Sequence, residues 1–96
     1  MASSAEYLLY VLDLLRCTGG ISHKKMMGEY LLYKEGILIG GLYDNRFLIR
    51  ITPSNAGAGL SREIPYGGAK PMYLIDSEDP GEIETLVSNV FTDLVE

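Results

Sequence analysis

Two short turn signals inside a run of apolar residues constrain the fold more than any other feature of the sequence. Glu35-Gly36 and Asp44-Asn45 divide residues 23–52 into three segments rich in Leu, Ile, Tyr and Phe. Such dipeptides connect antiparallel strands through two-residue hairpins, because Gly, Asn and Asp tolerate the backbone angles of these turns. The pattern therefore predicts three consecutive antiparallel strands.

Two-residue turns also fix the strand register. Lys34 then pairs with Ile37, and Tyr43 pairs with Arg46. Because side chains alternate between the two faces of a strand, this register assigns each residue to a face. One predicted face is apolar apart from a tyrosine hydroxyl, and we expect it to pack beneath helices. Its residues are Leu31, Tyr33, Leu38, Gly40, Leu42, Phe47, Ile49 and Ile51.

The opposite predicted face mixes large apolar groups with cations. Its residues are Tyr30, Leu32, Lys34, Ile37, Ile39, Gly41, Tyr43, Arg46, Leu48, Arg50 and Thr52. A face left in water would be more polar, so we expect something to cover part of it. The cover is a second copy of the chain, a protein partner, or the segment 53–69 folded back.

Eight residues are candidates for contact with a partner or an anion: Lys25, Tyr30, Leu32, Tyr43, Arg46, Leu48, Arg50 and Lys70. The apolar and aromatic members suit the centre of a protein interface, where cations occupy the rim. In the alternative interpretation, the cations form a basic pocket for an anion if their strands adjoin. These cations are Lys25, Arg46, Arg50 and Lys70. Surface cations at strand ends are the simplest alternative.

Helices are predicted at both chain ends. Ser3 followed by Glu6 is a capping-box pattern, which predicts a helix from about Ser4 to Gly19-Gly20. Asp79-Pro80 predicts the start of a final helix, because aspartate caps helices and proline suits the first helical position. Between them, Lys70-Pro71 opens a further strand. We therefore expect an α+β fold: a two-layer sandwich with an antiparallel sheet of about five strands.

Composition limits the classes of function. The chain has 96 residues, a formal net charge of −5 and one cysteine. An acidic protein is repelled by phosphates, so we expect no direct nucleic-acid binding. We also expect no membrane segment, because no apolar run approaches the roughly 20 residues that a spanning helix needs. A lone cysteine fits a reducing, cytoplasmic setting.

No pattern of catalytic or metal-binding residues stands out. Cys17 and His23 are the only thiol and imidazole, and no third group is placed to orient the histidine. We expect Cys17 to be a small buried core residue, and we expect no metal and no cofactor. Met26-Met27 is most simply core filling, although methionine also suits adaptable interfaces. Gly40-Gly41 inside a strand permits a bulge or a close approach by another group.

Three stretches carry a resemblance to a known family: MMGEYLLY (26–33), GILIGGLYDNRFLIR (36–50) and YGGAKPM (66–72). In this order and spacing, the chain resembles the N-terminal domain of the TfoX/Sxy bacterial competence regulators over almost its whole length. The resemblance implies a single stand-alone domain over residues 1–96 and a two-layer fold. It also implies a non-enzymatic role in regulating competence or transcription through protein contacts. A small-molecule domain with a basic pocket for an anion is the alternative.

Overall fold

The computed structural model describes residues 3–95. Within them the chain forms two helices and six strands, in the order α1 (Ala5–Leu14), β1 (Ile21–Met26), β2 (Glu29–Lys34), β3 (Ile37–Leu42), β4 (Phe47–Ile49), β5 (Arg62–Glu63), β6 (Met72–Leu74) and α2 (Pro80–Val95). The strands form one antiparallel sheet in the spatial order β1-β2-β3-β4-β6-β5. The predicted α+β class is confirmed, with six strands where about five were expected.

Both predicted turns are present. Each places two consecutive residues at positive φ, with values of 48° and 83° at Glu35-Gly36 and of 54° and 55° at Asp44-Asn45. These are the angles of the type I′ turn, whose twist matches that of paired strands. The predicted flanking pairs are confirmed as Lys34–Ile37 and Tyr43–Arg46.

A third turn of the same kind, at Met27-Gly28, separates β1 from β2 and accounts for one of the strands that the sequence did not predict. Met27 has φ of 53° and Gly28 has φ of 84°. The Met27 side chain is 96% exposed and that of Met26 is 49% exposed. The prediction that both methionines fill the core is therefore wrong, because the turn directs this part of the chain into solvent.

A bulge in β3 changes which residues share a face. Leu32 of β2 lies opposite Gly40, whereas Tyr33 lies opposite Leu38, so Ile39 is an extra residue in β3. One extra residue moves every side chain beyond it to the other face relative to strict alternation. The bulge thus confirms that Gly40 belongs to an irregular part of the strand.

The predicted face assignment is consequently wrong for β2 and for the start of β3. Leu31, Tyr33 and Leu38 do not join the buried cluster beneath the helices. Their neighbours in sequence take those places. The cluster contains Tyr30, Leu32, Ile39, Leu42, Phe47, Ile49 and Tyr73 from the strands, together with Ile75, which directly follows β6.

The hydrophobic core lies between the sheet and the two helices. The helices contribute Leu8, Val11, Leu14, Leu15, Ile83, Val87 and Val90. The predicted burial of Phe47 and Ile49 is confirmed, since their side chains are 2% and 0% exposed. Ile51 packs against the cluster but is only partly buried. Burial of this apolar surface is the main favourable term in the stability of so small a domain.

Local side-chain hydrogen bonds cap both helices at their N-terminal ends. Ser4 rather than Ser3 caps α1, because the Ser4 hydroxyl accepts from the Tyr7 N–H at 3.0 Å. The predicted start of the last helix is confirmed, and Asp79 Oδ1 accepts from the Gly81 N–H at 3.0 Å. Neither helix in the described part of the chain is long and apolar enough to cross a membrane.

The Glu29 carboxylate ties the start of the chain to the β3–β4 turn. Its Oε1 accepts from the Ser3 hydroxyl at 2.8 Å and the Ser3 N–H at 3.0 Å, and it also accepts from the Asp44 N–H at 3.2 Å. The Ser3 hydroxyl in turn accepts from the Asn45 N–H at 3.0 Å. This network explains why Ser3 does not cap α1, and it fixes the turn from which Tyr43 and Arg46 extend.

Candidate functional site

A groove of about 520 Å³ lies between the β3–β4 hairpin and the segment 62–72. We call it the basic groove, and we call residues 62–71 the groove wall. Its lining residues are Leu38, Gly40, Tyr43, Arg50, Ile51, Arg62, Pro65, Tyr66, Ala69, Lys70, Pro71 and Met72. This volume is within the range of small-molecule sites, which combine apolar surface with a few charged or polar groups.

Three cations line the basic groove: Arg50, Arg62 and Lys70. Arg50 Nη1 donates to the Leu38 carbonyl at 3.1 Å. In the described part of the chain, neither Arg62 nor Lys70 lies within 4.0 Å of a carboxylate oxygen. Among residues 3–95 their charges therefore have no close carboxylate partner, although the chain as a whole is acidic. An anionic group in the groove would gain charge-assisted hydrogen bonds.

Two tyrosines form an aromatic side of the groove. The Tyr43 ring is buried and its centroid lies 6.0 Å from that of the exposed Tyr66. Burial raises the pKa of Tyr43, with smaller contributions from Tyr66 and Glu29, so its hydroxyl is neutral near pH 7. A Cβ on Gly41 would lie 2.8 Å from the Tyr43 ring, which confirms that glycine permits a close approach here.

Arg46 holds the groove wall in place. Its Nη1 lies 3.0 Å from Glu63 Oε1, and Nη2 donates to the carbonyls of Ile64 and Pro65 at 3.2 and 3.3 Å. Its Nε donates to the Tyr43 carbonyl at 3.1 Å. The structure therefore places Arg46 as a support for the wall, because four hydrogen bonds from its guanidinium group go to the protein.

Asn55 fixes the end of β4 that presents Arg50. Its side chain is 1% exposed. Nδ2 donates to the Arg50 carbonyl at 2.9 Å, while Oδ1 accepts from the Thr52 N–H at 2.8 Å. Sequence reasoning missed this residue, because an asparagine among Gly, Ala and Ser is typical of an exposed loop.

The structure brings together three of the eight predicted contact residues. Tyr43, Arg50 and Lys70 all line the basic groove. Arg62 and Tyr66 complete it and were missed. Tyr66 lies within the YGGAKPM stretch, so that motif was the available signal, whereas Arg62 carried none.

The remaining predicted residues lie elsewhere. Tyr30 and Leu32 are buried beneath the helices, at 7% and 0% exposure, because the β3 bulge changes their face. Leu48 is 0% exposed within the single chain, so it offers no surface to a partner. Lys25 lies on β1, at the opposite edge of the sheet from β5.

The lining residues of the basic groove supply cations and tyrosine hydroxyls. Its lining residues include no carboxylate, imidazole or thiol. Cys17 is exposed, contrary to the expectation of a buried core residue, because α1 ends before it. His23 lies on β1 with its ring edge-on to Tyr30 at 6.2 Å. Across residues 3–95, no three His, Cys, Asp or Glu side chains are grouped to hold a metal ion.

Comparison with known proteins gives one relative. No protein-family model matches the chain. A Spirochaeta aurantia protein, called an uncharacterized 12.7 kDa protein in the trpE 5′ region, is similar to it. The two are 35% identical over 78 residues, which span 79% of this chain and 68% of the relative. The relative's name states no activity.

Proposed function

The chain belongs to the family of this Spirochaeta aurantia protein, and we propose that it is a non-enzymatic regulatory or adaptor domain that binds an anionic ligand in the basic groove. The observation that carries the proposal is that Arg62 and Lys70, which have no carboxylate within 4.0 Å among the described residues, lie beside Arg50 in one groove. Folding such charges together has a repulsive cost that a bound anion would remove.

The chemical composition of the groove lining favours an organic anion over a bare inorganic ion. Apolar and aromatic groups make up most of its lining, including Leu38, Pro65, Met72 and the two tyrosines. Such surfaces bind the apolar or planar body of a ligand, while the cations orient its charged group. A ligand with a carboxylate or phosphate attached to an apolar body satisfies both parts.

The regulatory part of the proposal rests on the resemblance to the TfoX/Sxy N-terminal domain. The stretches that carry the resemblance supply Glu29, the Gly40-Gly41 pair and the groove wall from Tyr66 to Lys70. A regulatory domain of this kind would work in the cytoplasm and would pass on a bound signal through contacts with other proteins. We expect no direct binding to DNA, because the net charge is −5.

Thermal unfolding with a panel of organic carboxylates and phosphates tests the proposal. A ligand that binds the native state at about 100 times its Kd should stabilise it by about 2.7 kcal/mol, which raises Tm by several degrees. Arg62→Gln and Lys70→Gln should each reduce that shift. Lys24→Gln, which removes a cation outside the groove, should leave it unchanged.

Two results would contradict this function. One is that no anion in the panel raises Tm. The other is that the Arg62 and Lys70 variants keep the full shift of the wild type, which would place the bound anion outside the basic groove.

A protein partner is a second candidate occupant of the groove. Ile64 is 49% exposed and Tyr66 is 63% exposed, and both belong to the groove wall beside Arg62. Exposed apolar and aromatic groups beside cations are common in protein interfaces. Sedimentation of the chain alone, and of mixtures with proteins captured from the native host, would distinguish self-association from binding to another protein.

A further inference from the structure

β1 is a long, regular strand at the edge of the sheet. It has six residues and pairs only with β2. The Glu35 N–H donates to the Gly20 carbonyl at 2.8 Å, so hydrogen-bonded pairs with β2 fall at every second residue from there. The intervening residues, Ile21, His23 and Lys25, therefore direct their backbone N–H and C=O groups away from the sheet. An extended chain could pair with these three positions.

The side chains of β1 are exposed and basic. All but Ile21 are exposed, and His23, Lys24 and Lys25 follow one another in the middle of the strand. Among the described residues, no carboxylate lies within 4.0 Å of Lys24 or Lys25. The exposed Met26 and Met27 form an apolar tip at the end of this strand. The edge thus offers free backbone groups, free cations and apolar surface together.

The other edge of the sheet offers little backbone for a further strand. β5 has only two residues, Arg62 and Glu63, and Glu63 is paired with Arg46. Short length is one way to prevent unwanted strand pairing, and charge is another. β1 uses charge alone. Charge prevents pairing with some strands and favours pairing with others. If two copies of β1 paired, Lys24 and Lys25 of both copies would lie side by side and repel one another. An acidic strand would instead be attracted to these lysines.

We propose that β1 is a docking site for an acidic, extended segment of a partner protein, which adds to the sheet as a further strand. Carboxylates at adjacent positions of that segment point to opposite faces, so one meets Lys24 on one face of the sheet and the next meets Lys25 on the other. An apolar side chain near its end packs on Met26 and Met27. This interaction goes beyond ligand binding in the basic groove, which lies towards the opposite edge of the sheet and shares no residue with β1.

Peptide binding followed by two-dimensional NMR tests the proposal. The probe is a peptide of about seven residues that repeats Val-Glu-Glu, which has the length of an ordinary strand and places carboxylates on both of its faces. Its two comparisons have Lys in place of Glu, or proline at its central positions. We expect the acidic peptide alone to bind, and to slow amide exchange at Ile21, His23 and Lys25.

Charge reversal at the edge provides the matched variants. Lys24→Glu with Lys25→Glu should weaken the acidic peptide by about tenfold or more and allow the basic peptide to bind. These side chains are exposed, so the variant should fold. Lys70→Glu reverses a groove cation and should leave peptide binding unchanged.

Three outcomes would overturn the proposal. The first is that the acidic peptide does not protect the three amides. The second is that its contacts map to the basic groove and are lost in Lys70→Glu. The third is protection of the same amides by self-association without peptide, which would make a second copy the occupant of this edge.

Discussion

At the scale of single residues, Gly41 shows how the absence of a side chain shapes the basic groove. A Cβ at this position would lie 2.7 Å from the Tyr30 carbonyl oxygen and 2.8 Å from the Tyr43 ring. The carbonyl belongs to the β2–β3 ladder and cannot move without breaking it. Gly41 therefore allows both the Tyr30 carbonyl and the Tyr43 ring to approach β3 closely.

Gly41→Ala should destabilise the domain by about 1–3 kcal/mol, because the added methyl group overpacks a rigid site. Chemical denaturation should show a lower midpoint than for the wild type. Gly57→Ala is the matched control, since a Cβ there would meet no atom within 4 Å. Equal midpoints for the two variants would show that the Tyr43 ring and β2 adjust freely to the methyl group.

At the scale of elements, one carboxylate connects the loop after β4 to the end of α2. Asp93 Oδ2 accepts from the Ser54 N–H at 2.9 Å. The neighbouring Thr52 side chain, followed by the Ser54 hydroxyl and N–H, lowers the pKa of Asp93 below its ordinary value of 3.8. These groups favour the ionised form in the folded state, so folding and ionisation of Asp93 support each other.

The stabilising effect of Asp93 should depend on pH. A carboxyl group with a lowered pKa contributes fully above its unfolded pKa and loses this contribution as pH falls through the folded pKa. Asp93→Asn should therefore lower Tm at pH 7, and the difference from wild type should narrow below about pH 4. Asp76→Asn, which removes the same charge without a contact to Ser54, is the control. A difference that stays constant from pH 7 to pH 2 would contradict this role.

The sequence allowed some elements to be predicted because their signals are local. Gly36 and Asn45 tolerate positive φ, so two turns and their flanking pairs were predictable. Met27 adopts the same conformation without such a preference, and its turn was missed. The Gly40-Gly41 pair indicated that β3 could hold a bulge, but it did not specify where the extra residue falls.

The basic groove was less predictable than the strands around it. Arg50 and Lys70 come together only because β6 pairs with β4 and directs the groove wall beside the β3–β4 hairpin. That pairing joins segments about twenty residues apart, and no local pattern specifies it. Arg62 and Asn55 gain their roles from the same long-range arrangement, so their sequence context alone resembled a flexible loop.

At the scale of the whole molecule, the chain buries residues on both faces of its own sheet. Helices cover one face, and Leu48, in the middle of β4, is 0% exposed although it lies outside the cluster beneath them. Strand alternation places Leu48 on the face opposite Phe47 and Ile49. Of the three covers considered for that face, the single chain itself accounts for the burial of Leu48.

Leu48→Asp should therefore unfold the monomer rather than separate a dimer. Burial of an unpaired carboxylate, added to the loss of leucine packing, costs more than a marginally stable domain of this size retains. Circular dichroism should show the loss of structure. Leu9→Asp, at a position that is 66% exposed, should remain folded. A folded Leu48→Asp protein that sediments as a smaller species than wild type would restore the interface interpretation.

The order of strands in the sheet predicts which part of it forms last and exchanges its amide hydrogens first. The strands from β1 to β4 follow one another in sequence and are joined by two-residue turns, so each can pair with the next through contacts that are local in sequence. β6 must instead close a loop of about twenty residues on β4, which carries a larger entropic cost. The groove wall should therefore be the last part of the sheet to form and the first to exchange its amide hydrogens with solvent. If the domain binds an anion in the basic groove as proposed, local opening of this segment would admit and release that ligand while the four-stranded meander stays intact.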